Sequence, residues 1–421
     1  MIIKPMVWNN ICLNSHPAGC AAAVMRQIEY TIAHLAGGKK PEDARADAGT
    51  TIPRLVLVIG CSTGYGLASR IAAAFGYGAA TVGISLEKPA SETKPGTPGF
   101  YNNLAFDREA GRAGLVSLTL DGDAFSDAVK ARAAEAIRKA AEQAGIPPKV
   151  DLVIYSLASP VRTDPKTGTM YRSVIKPIGS GFSGKTVDMM SGNIITAGAE
   201  GASYEEIANT VKVMGGEDWE LWMDALAKED VLSARTRALA YTYIGPELSW
   251  AIYKNGTIGK AKEDLERAGR AINRKYAETG KIAGAWISVN KALVTRASAV
   301  IPIIPFYVSC LFKIMKEKGI HEGCIEQIVR LYKDRLYTSD AVKDPQKIPT
   351  DSEGRIRIDD WEMREDVQTE KRARMEKATQ ESLDSLADIA GFRHDFLEAH
   401  GFDVEGIDYD ADTDPAGFEK L

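Results

Sequence analysis

The sequence predicts an α/β protein built on a doubly wound parallel sheet. Three observations lead to that class. A largely apolar run, Arg54-Leu-Val-Leu-Val-Ile59, stops at a glycine-rich turn and gives way to a helix-forming stretch. Strand-like and helix-like stretches then alternate as far as Tyr155. Two further apolar strand candidates, 239–244 and 285–289, return after a long interruption.

Taken in order, Arg54 to Ile59 has the pattern of a strand covered on both faces. Gly60-Cys-Ser-Thr-Gly64-Tyr-Gly66 makes the turn after it, and Leu67 to Phe75 the helix, the first half of a βαβ unit. Thr81 to Glu87 is the second strand and Gly114 to Asp121 the third. Ser126 or Asp127 caps an alanine-rich helix that runs to about Gln143. Val150 to Tyr155 is the fourth strand. From 161 to 200, Gly, Pro, Thr and Lys predominate, so hairpins and loops replace the next βαβ step. Helices are expected at 203–213 and 217–227, a fifth strand at 239–244, and a long helix at 257–278. A sixth strand follows at 285–289, then helices at 303–318 and 321–337, a short strand at 355–358 and a charged helix at 359–378. The chain, 1–421, reads as a single enlarged domain with a core at about 52–320, an insertion at about 161–235 and a helical extension at about 321–421. Gly37 to Ala48 is polar and reads as a loose insertion.

Composition narrows the class. With 421 residues, 45% hydrophobic and 26% charged, the chain is an ordinary globular protein. A net charge of −5 leaves no electrostatic footprint for nucleic acid. The acidic stretch from Asp403 to Asp414 reads as solvated surface. The 5 cysteines include no C-x-x-C, which argues against a disulfide framework. Cys12, His16 and Cys20 lack a second cluster at ligand spacing, so burial is expected there and no metal. Met1-Ile-Ile-Lys-Pro has no basic region leading into an apolar run, and a cytoplasmic protein is expected. Ala297 to Phe312 is uncharged and mostly apolar but holds Pro302 and Pro305. It is shorter than the roughly 20 residues of a membrane span, so a buried helix or pocket wall is expected.

The glycines at 60, 64 and 66 bear on chemistry. Small residues there let backbone N–H groups approach a pyrophosphate at a helix N-terminus. Their G-x-x-x-G-x-G spacing is that of short-chain dehydrogenases, although any tight strand-to-helix turn has a similar need. Glu87, at the end of the second strand, can accept from adenosine ribose hydroxyls and repel a 2′-phosphate, which favours NADH over NADPH. Asp123 and Ala124 follow the third strand, within reach of an adenine. Leu157 and Ala158 follow the fourth, where small residues allow backbone to lie along the cofactor. All four places are C-terminal ends of parallel strands, where such sheets bind ligands.

The second half of the chemistry lies in Tyr253-Lys-Asn-Gly-Thr-Ile-Gly-Lys-Ala-Lys262. A tyrosine hydroxyl can donate a proton, and a nearby ammonium would favour its phenolate. In short-chain dehydrogenases such a pair shares one helix face, four residues apart. Here nine steps at about 100° each turn the lysine to the opposite face of a continuous helix. Asn255-Gly256 and Gly259 supply a break, so Tyr253 is expected to end a short helix and Lys262 to lie in the next. Tyr243 stands upstream, where carbonyl-reducing members of that group carry a serine; Ala240 and Tyr241 are its neighbours.

The Tyr-x8-Lys spacing resembles that of the trans-2-enoyl-CoA reductase family, which includes FabV-type enoyl-acyl-carrier-protein reductases. The resemblance runs nearly end to end. It takes in Ser15-His-Pro-Ala-Gly-Cys20, Tyr101-Asn-Asn103, Tyr155-Ser-Leu-Ala-Ser-Pro160 and Val213-Met-Gly-Gly-Glu-Asp-Trp219. It continues through Ser288-Val-Asn-Lys-Ala-Leu-Val-Thr295 and His321-Glu-Gly-Cys324. The resemblance implies a Rossmann-type sheet of the short-chain dehydrogenase kind with added segments, NADH as cofactor without flavin or metal, and a monomer. It implies Tyr253 as proton donor, Lys262 as ligand of the cofactor ribose and Tyr243 as substrate contact. It also implies an NADH site lined by Gly60, Cys61, Ser62, Thr63, Gly64, Tyr65, Leu86, Glu87, Asp123, Ala124, Leu157, Ala158, Leu293, Val294 and Thr295.

The expected activity is therefore NADH-dependent reduction of trans-2-enoyl-CoA thioesters of the crotonyl type, with Ile301 to Phe312 walling the acyl pocket. Two alternatives stand beside it: an enoyl-ACP reductase of fatty-acid synthesis, and a non-catalytic NADH-binding regulator.

Overall fold

The structure is a computed structural model that describes residues 1–8, 11–41, 43, 52–188, 191–251, 253–295 and 304–416. A short antiparallel pair, β1 (Val7–Trp8) and β2 (Ile11–Cys12), opens the chain. The first parallel strands are β3 (Leu55–Ile59), β4 (Ala80–Ser85), β5 (Ser117–Asp121) and β6 (Leu152–Tyr155). Two hairpins interrupt them: β7 (Val161–Thr163) with β8 (Met170–Arg172), and β9 (Phe182–Val187) with β10 (Ile194–Ala199). The helices Tyr204–Met214 and Glu217–Lys228 complete the interruption. Then come β11 (Arg237–Thr242), β12 (Gly284–Val289) and β13 (Ile356–Arg357). Seven strands form one sheet in the order β13-β12-β11-β6-β3-β4-β5, with every neighbouring pair parallel. The winding reverses between β3 and β6, and that switch point opens a crevice at the strands' C-terminal ends.

The alternation of β3 suits a strand covered on both faces inside the sheet. Val56 and Val58 point to one face, against Leu67, Ile71, Phe75 and Tyr332. Leu55, Leu57 and Ile59 point to the other, against Val129, Ile137 and Trp222. Truncating any one of these fully buried side chains to alanine would cost about 2–5 kcal/mol. A third core, with Phe306, Tyr307, Phe312 and Phe392, lies under the C-terminal extension.

Several boundaries differ from expectation. β4 stops at Ser85, leaving Leu86 exposed and Glu87 in the loop, and β11 stops at Thr242. Residues 114–116 belong to the loop before β5, because Gly114 has φ +66°. Three helices end within a residue of the expected place but close in a single π turn: Ala72–Gly76, Asn273–Ala277 and Tyr332–Leu336. The wider i→i+5 bonding has no residue pattern of its own. The helix expected from 359 starts only at Glu365, since the Ile358 and Asp359 N–H groups both donate to the Val289 carbonyl and hold the chain to the sheet. The helix Pro17–His34 went unassigned in the sequence, although Pro17 occupies its first turn and His16 Nδ1 accepts from the Gly19 N–H as its cap. Half of Gly37–Ala48, namely 42 and 44–48, and all of Ala297–Ile303 lie outside the described residues. The remainder of the apolar segment is the buried start of helix Ile304–Glu317. No described helix is long and apolar enough to cross a membrane.

Candidate active site

The glycine-rich turn after β3 is shaped by close approach. Gly60 adopts φ +85°, and a Cβ there would lie 2.3 Å from the Ser156 carbonyl oxygen. A Cβ on Gly66 would lie 1.8 Å from the Gly60 carbonyl oxygen, so neither position tolerates a side chain. Thr63 precedes helix Gly64–Ile71 without capping it through its side chain, which leaves the first-turn N–H groups facing the crevice. Gly64 faces the loop after β12: its Cβ would meet the Thr295 methyl at 3.7 Å. Cys61 is buried, with Sγ 3.7 Å from Asn103 Oδ1. Tyr65 Oη lies 3.0 Å from the Lys291 carbonyl oxygen and 2.9 Å from Gln327 Oε1, tying this turn to the same loop.

The other expected cofactor residues line the same edge. Glu87 Oε1 accepts from Ser62 Oγ at 2.6 Å, and its Oε2 accepts from Thr97 Oγ1. Its backbone N–H donates to Asp121 Oδ1 at 3.0 Å, joining the ends of β4 and β5. Asp123 Oδ1 accepts from the Phe125 N–H. The Ala124 carbonyl accepts from Lys130 Nζ and Trp222 Nε1, each at 3.1 Å. Leu157 lies against Gly60, whose Cβ would come within 3.2 Å of its Cα. Ala158 is exposed, whereas Leu293 and Val294 are buried in the third core. These residues fit a dinucleotide: bare glycine backbone, an uncapped helix start and a carboxylate at the second strand's end.

The stretch around Tyr253 breaks as its glycines require, but not quite where expected. A short helix, Glu247–Trp250, ends before Tyr253, which sits in the turn that follows with its N–H donating to the Ser249 carbonyl at 2.8 Å. The next helix, Thr257–Ile272, carries Lys262. Gly259 permits the close join: a Cβ there would lie 1.9 Å from the Lys254 carbonyl oxygen and 2.6 Å from that of Tyr253. Both side chains turn back toward the end of β11. Lys262 Nζ donates to the Tyr241 carbonyl at 3.3 Å. The Tyr253 ring stands edge-on to Tyr243, with centroids 4.8 Å apart. Among the described residues no group hydrogen-bonds the Tyr253 hydroxyl.

The electrostatics differ from the expected phenolate-favouring pair. Burial, and then the charge of Glu362, push the Tyr253 phenol up to about 12. Burial brings the Lys262 ammonium down to about 8. At neutral pH the tyrosine therefore holds its proton and the lysine its charge.

Sequence reasoning missed Glu362. This fully buried carboxylate accepts from Tyr243 Oη at 3.0 Å and Tyr307 Oη at 2.5 Å on one oxygen. Its other oxygen accepts from the Ala292 N–H at 2.7 Å. Nothing in the local string Asp359-Asp-Trp-Glu362 signals such a role.

Comparison with known proteins places this geometry in a family. Residues 2–92 match the NAD(P)H binding domain of trans-2-enoyl-CoA reductase, and residues 94–337 the trans-2-enoyl-CoA reductase catalytic region. Residues 350–413 match a segment described as the enoyl reductase FAD binding domain. In this chain β13 runs there into Asp359, Asp360 and Trp361 rather than glycines. The two aspartates pair with Arg357, Arg330 and Arg335, so these residues do not fit a flavin diphosphate. The chain is 59% identical over 414 residues to the trans-2-enoyl-CoA reductase [NADH] of Treponema denticola, covering 98% of this chain and 99% of that one. It is 51% identical over 414 residues to the enoyl-[acyl-carrier-protein] reductase [NADH] of Cytophaga hutchinsonii, covering 98% of each. The crystal structure of the Treponema denticola trans-2-enoyl-CoA reductase in complex with NAD superposes with a TM-score of 0.90 at 58% identity, covering 98% of each chain. The chain belongs to the trans-2-enoyl-CoA reductase family, an NADH-dependent oxidoreductase on a doubly wound parallel sheet that acts on a carbon–carbon double bond.

Proposed function

We propose that this protein reduces short trans-2-enoyl-CoA thioesters, crotonyl-CoA to butyryl-CoA in type. The observation that carries the reading is the convergence of Tyr253 and Lys262 on the C-terminal end of β11, through the Tyr243 ring and the Tyr241 carbonyl. That end borders the switch-point crevice of the sheet. Bound NADH supplies the hydride that adds to the β-carbon. Tyr253 donates a hydrogen bond to the thioester oxygen as enolate charge develops, then supplies the proton directly or through the enol. Lys262 leaves its long bond to the Tyr241 carbonyl for a cofactor ribose hydroxyl. Tyr243 contacts the thioester.

Around them, backbone from Gly60 to Tyr65 holds the pyrophosphate, Leu86 and Glu87 the adenosine ribose, and Asp123 and Ala124 the adenine. Leu157 and Ala158 lie along the cofactor, and Leu293, Val294 and Thr295 meet its nicotinamide end. The buried Ile304–Phe312 part of the apolar segment walls the acyl chain. The enzyme works as a cytoplasmic monomer in this reading.

The test follows NADH absorbance with crotonyl-CoA. Steady oxidation supports the reading, whereas NADH binding without oxidation by any enoyl thioester would make the chain a cofactor-binding regulator. The 51% identity to an enoyl-acyl-carrier-protein reductase favours a second carrier. Turnover of crotonyl-ACP well above that of crotonyl-CoA would move the assignment to fatty-acid synthesis.

A further inference from the structure

Glu362 draws its three donors from three different walls of the site. Tyr243 stands just past the end of β11, where Tyr253 packs against it. Tyr307 belongs to helix Ile304–Glu317. Ala292 immediately precedes Leu293, Val294 and Thr295 in the loop after β12. Glu362 itself arrives from the turn after β13, and Gln368 Nε2 fastens that turn by donating to the Glu362 carbonyl at 2.7 Å. Two lysines complete the surroundings. Lys291 Nζ donates to the Ala292 and Glu322 carbonyls, each at 3.2 Å, and Lys371 Nζ sits over the Tyr307 ring at 5.1 Å.

Burying a carboxylate this completely is unfavourable unless its oxygens are filled with donors. An ionised carboxylate only accepts, which suits two hydroxyls and one N–H. An amide of the same shape cannot satisfy all three, because one of its ends carries hydrogens. If the core needed only volume here, an apolar side chain would fill the space at less cost.

We propose that Glu362 is a positioning residue for the reduction: its carboxylate fixes the tyrosine pair on the proton-donating side to the loop at the nicotinamide end, so that hydride and proton arrive in one geometry. The inference rests on the reading of Tyr253 and Tyr243 given under Proposed function. Misplacement of reacting groups by about 1 Å can cost ~100-fold in rate, so a support of this kind acts on kcat.

The experiment compares wild type, Glu362→Gln, Tyr307→Phe and the double variant. It measures thermal melting, NADH affinity by fluorescence titration, and kcat and KM with crotonyl-CoA. Glu362→Gln is expected to keep NADH affinity within about 3-fold while kcat falls about 10-fold or more, with KM changing less. Tyr307→Phe is expected to lose less. The losses should fail to multiply in the double variant, because both changes cut the same link. A Glu362→Gln protein with kcat within about 2-fold of wild type, or losses that multiply, overturns the proposal. If Glu362→Gln does not fold, Tyr307→Phe decides: an undiminished kcat overturns the proposal, and a reduced kcat at unchanged NADH affinity supports it. A wild type that never oxidises NADH with crotonyl-CoA refutes the functional reading instead, so the two failures are distinct.

Discussion

The ring of Tyr243 meets the ring of Tyr253 at 89°, with centroids 4.8 Å apart. Tyr243 spends its hydroxyl on Glu362, whereas Tyr253 meets no hydrogen-bonding partner among the described residues. One ring is thus a fixed wall and the other a donor with an open end. Tyr253→Phe is expected to lower kcat by at least about 100-fold, the usual size of a lost general acid. NADH affinity should stay near the wild-type value in a fluorescence titration. Undiminished turnover in this variant would remove Tyr253 from the mechanism.

The depressed Lys262 predicts a basic limb for activity. Its ammonium is charged below about 8 and loses its proton as pH rises through that value. If that charge serves the reaction, kcat/KM, which reports the free enzyme, falls above about pH 8, and Lys262→Met flattens this limb at a low plateau. A basic limb that survives in the variant would belong to another group. Stability of the unliganded protein moves in the opposite sense. Lys262, Lys291 and Lys371 all lie near 8 in the fold, held down first by burial. Unfolded lysine titrates near 10.4, so above about pH 8 the unfolded chain binds more protons and stability rises. The rise should end near pH 9, because thiols of the unfolded chain ionise from about 8.5 while burial holds Cys310 and Cys324 up to about 12 and raises Cys61 as well. Melting temperatures that fall steadily from pH 8 to 9 would contradict this.

Glu87 is held by Ser62 of the glycine-rich turn and by Thr97, so its carboxylate has a fixed position beside the cofactor edge. Like-charge contact with a 2′-phosphate costs several kcal/mol when neither group can move away. Glu87→Ala is therefore expected to narrow the preference for NADH over NADPH by about 10-fold or more, read as the ratio of kcat/KM values. Equal efficiency with both cofactors in the wild type would refute the role given to Glu87.

What was legible in the sequence follows from periodicity and local backbone chemistry. β3 reads as a strand because Leu55 to Ile59 is apolar on both faces, and a strand covered on both sides needs nothing else. The break between Tyr253 and Lys262 reads from helical geometry, because Gly256 and Gly259 are the residues a tight join requires. Glu362 was illegible for the opposite reason. Its partners Tyr243, Ala292 and Tyr307 are 119, 70 and 55 residues away, and no local pattern encodes so distant a meeting. The end of the Tyr253 helix was misjudged for a smaller reason: the Asn255 N–H reaches the Trp250 carbonyl at 2.7 Å, which closes a turn three residues earlier than the glycines alone imply.

The buried pair Lys130–Asp218 joins the inserted segment to the adenine end of the expected cofactor site. Nζ and Oδ1 are 2.8 Å apart, and the side chains are 3% and 1% exposed. Lys130 also donates to the Ala124 and Phe125 carbonyls, and Tyr155 Oη donates to the other Asp218 oxygen at 3.2 Å. Asp218 lies on helix Glu217–Lys228, so the turn after β5 is fastened from outside the βαβ core. Asp218→Asn leaves the ammonium buried among carbonyls, and a loss of about 3 kcal/mol is expected in denaturant unfolding. NADH affinity should weaken several-fold as the turn loosens, while kcat at saturating NADH stays near wild type, because the reacting end is remote from this pair. The double variant Lys130→Met with Asp218→Leu separates the two effects. Replacing a buried ion pair with apolar side chains of similar size is often neutral for stability. Stability should therefore return, but Lys130→Met takes the ammonium donor from the Ala124 carbonyl, and NADH affinity should stay weak. Recovery of both quantities would mean that the pair serves folding alone.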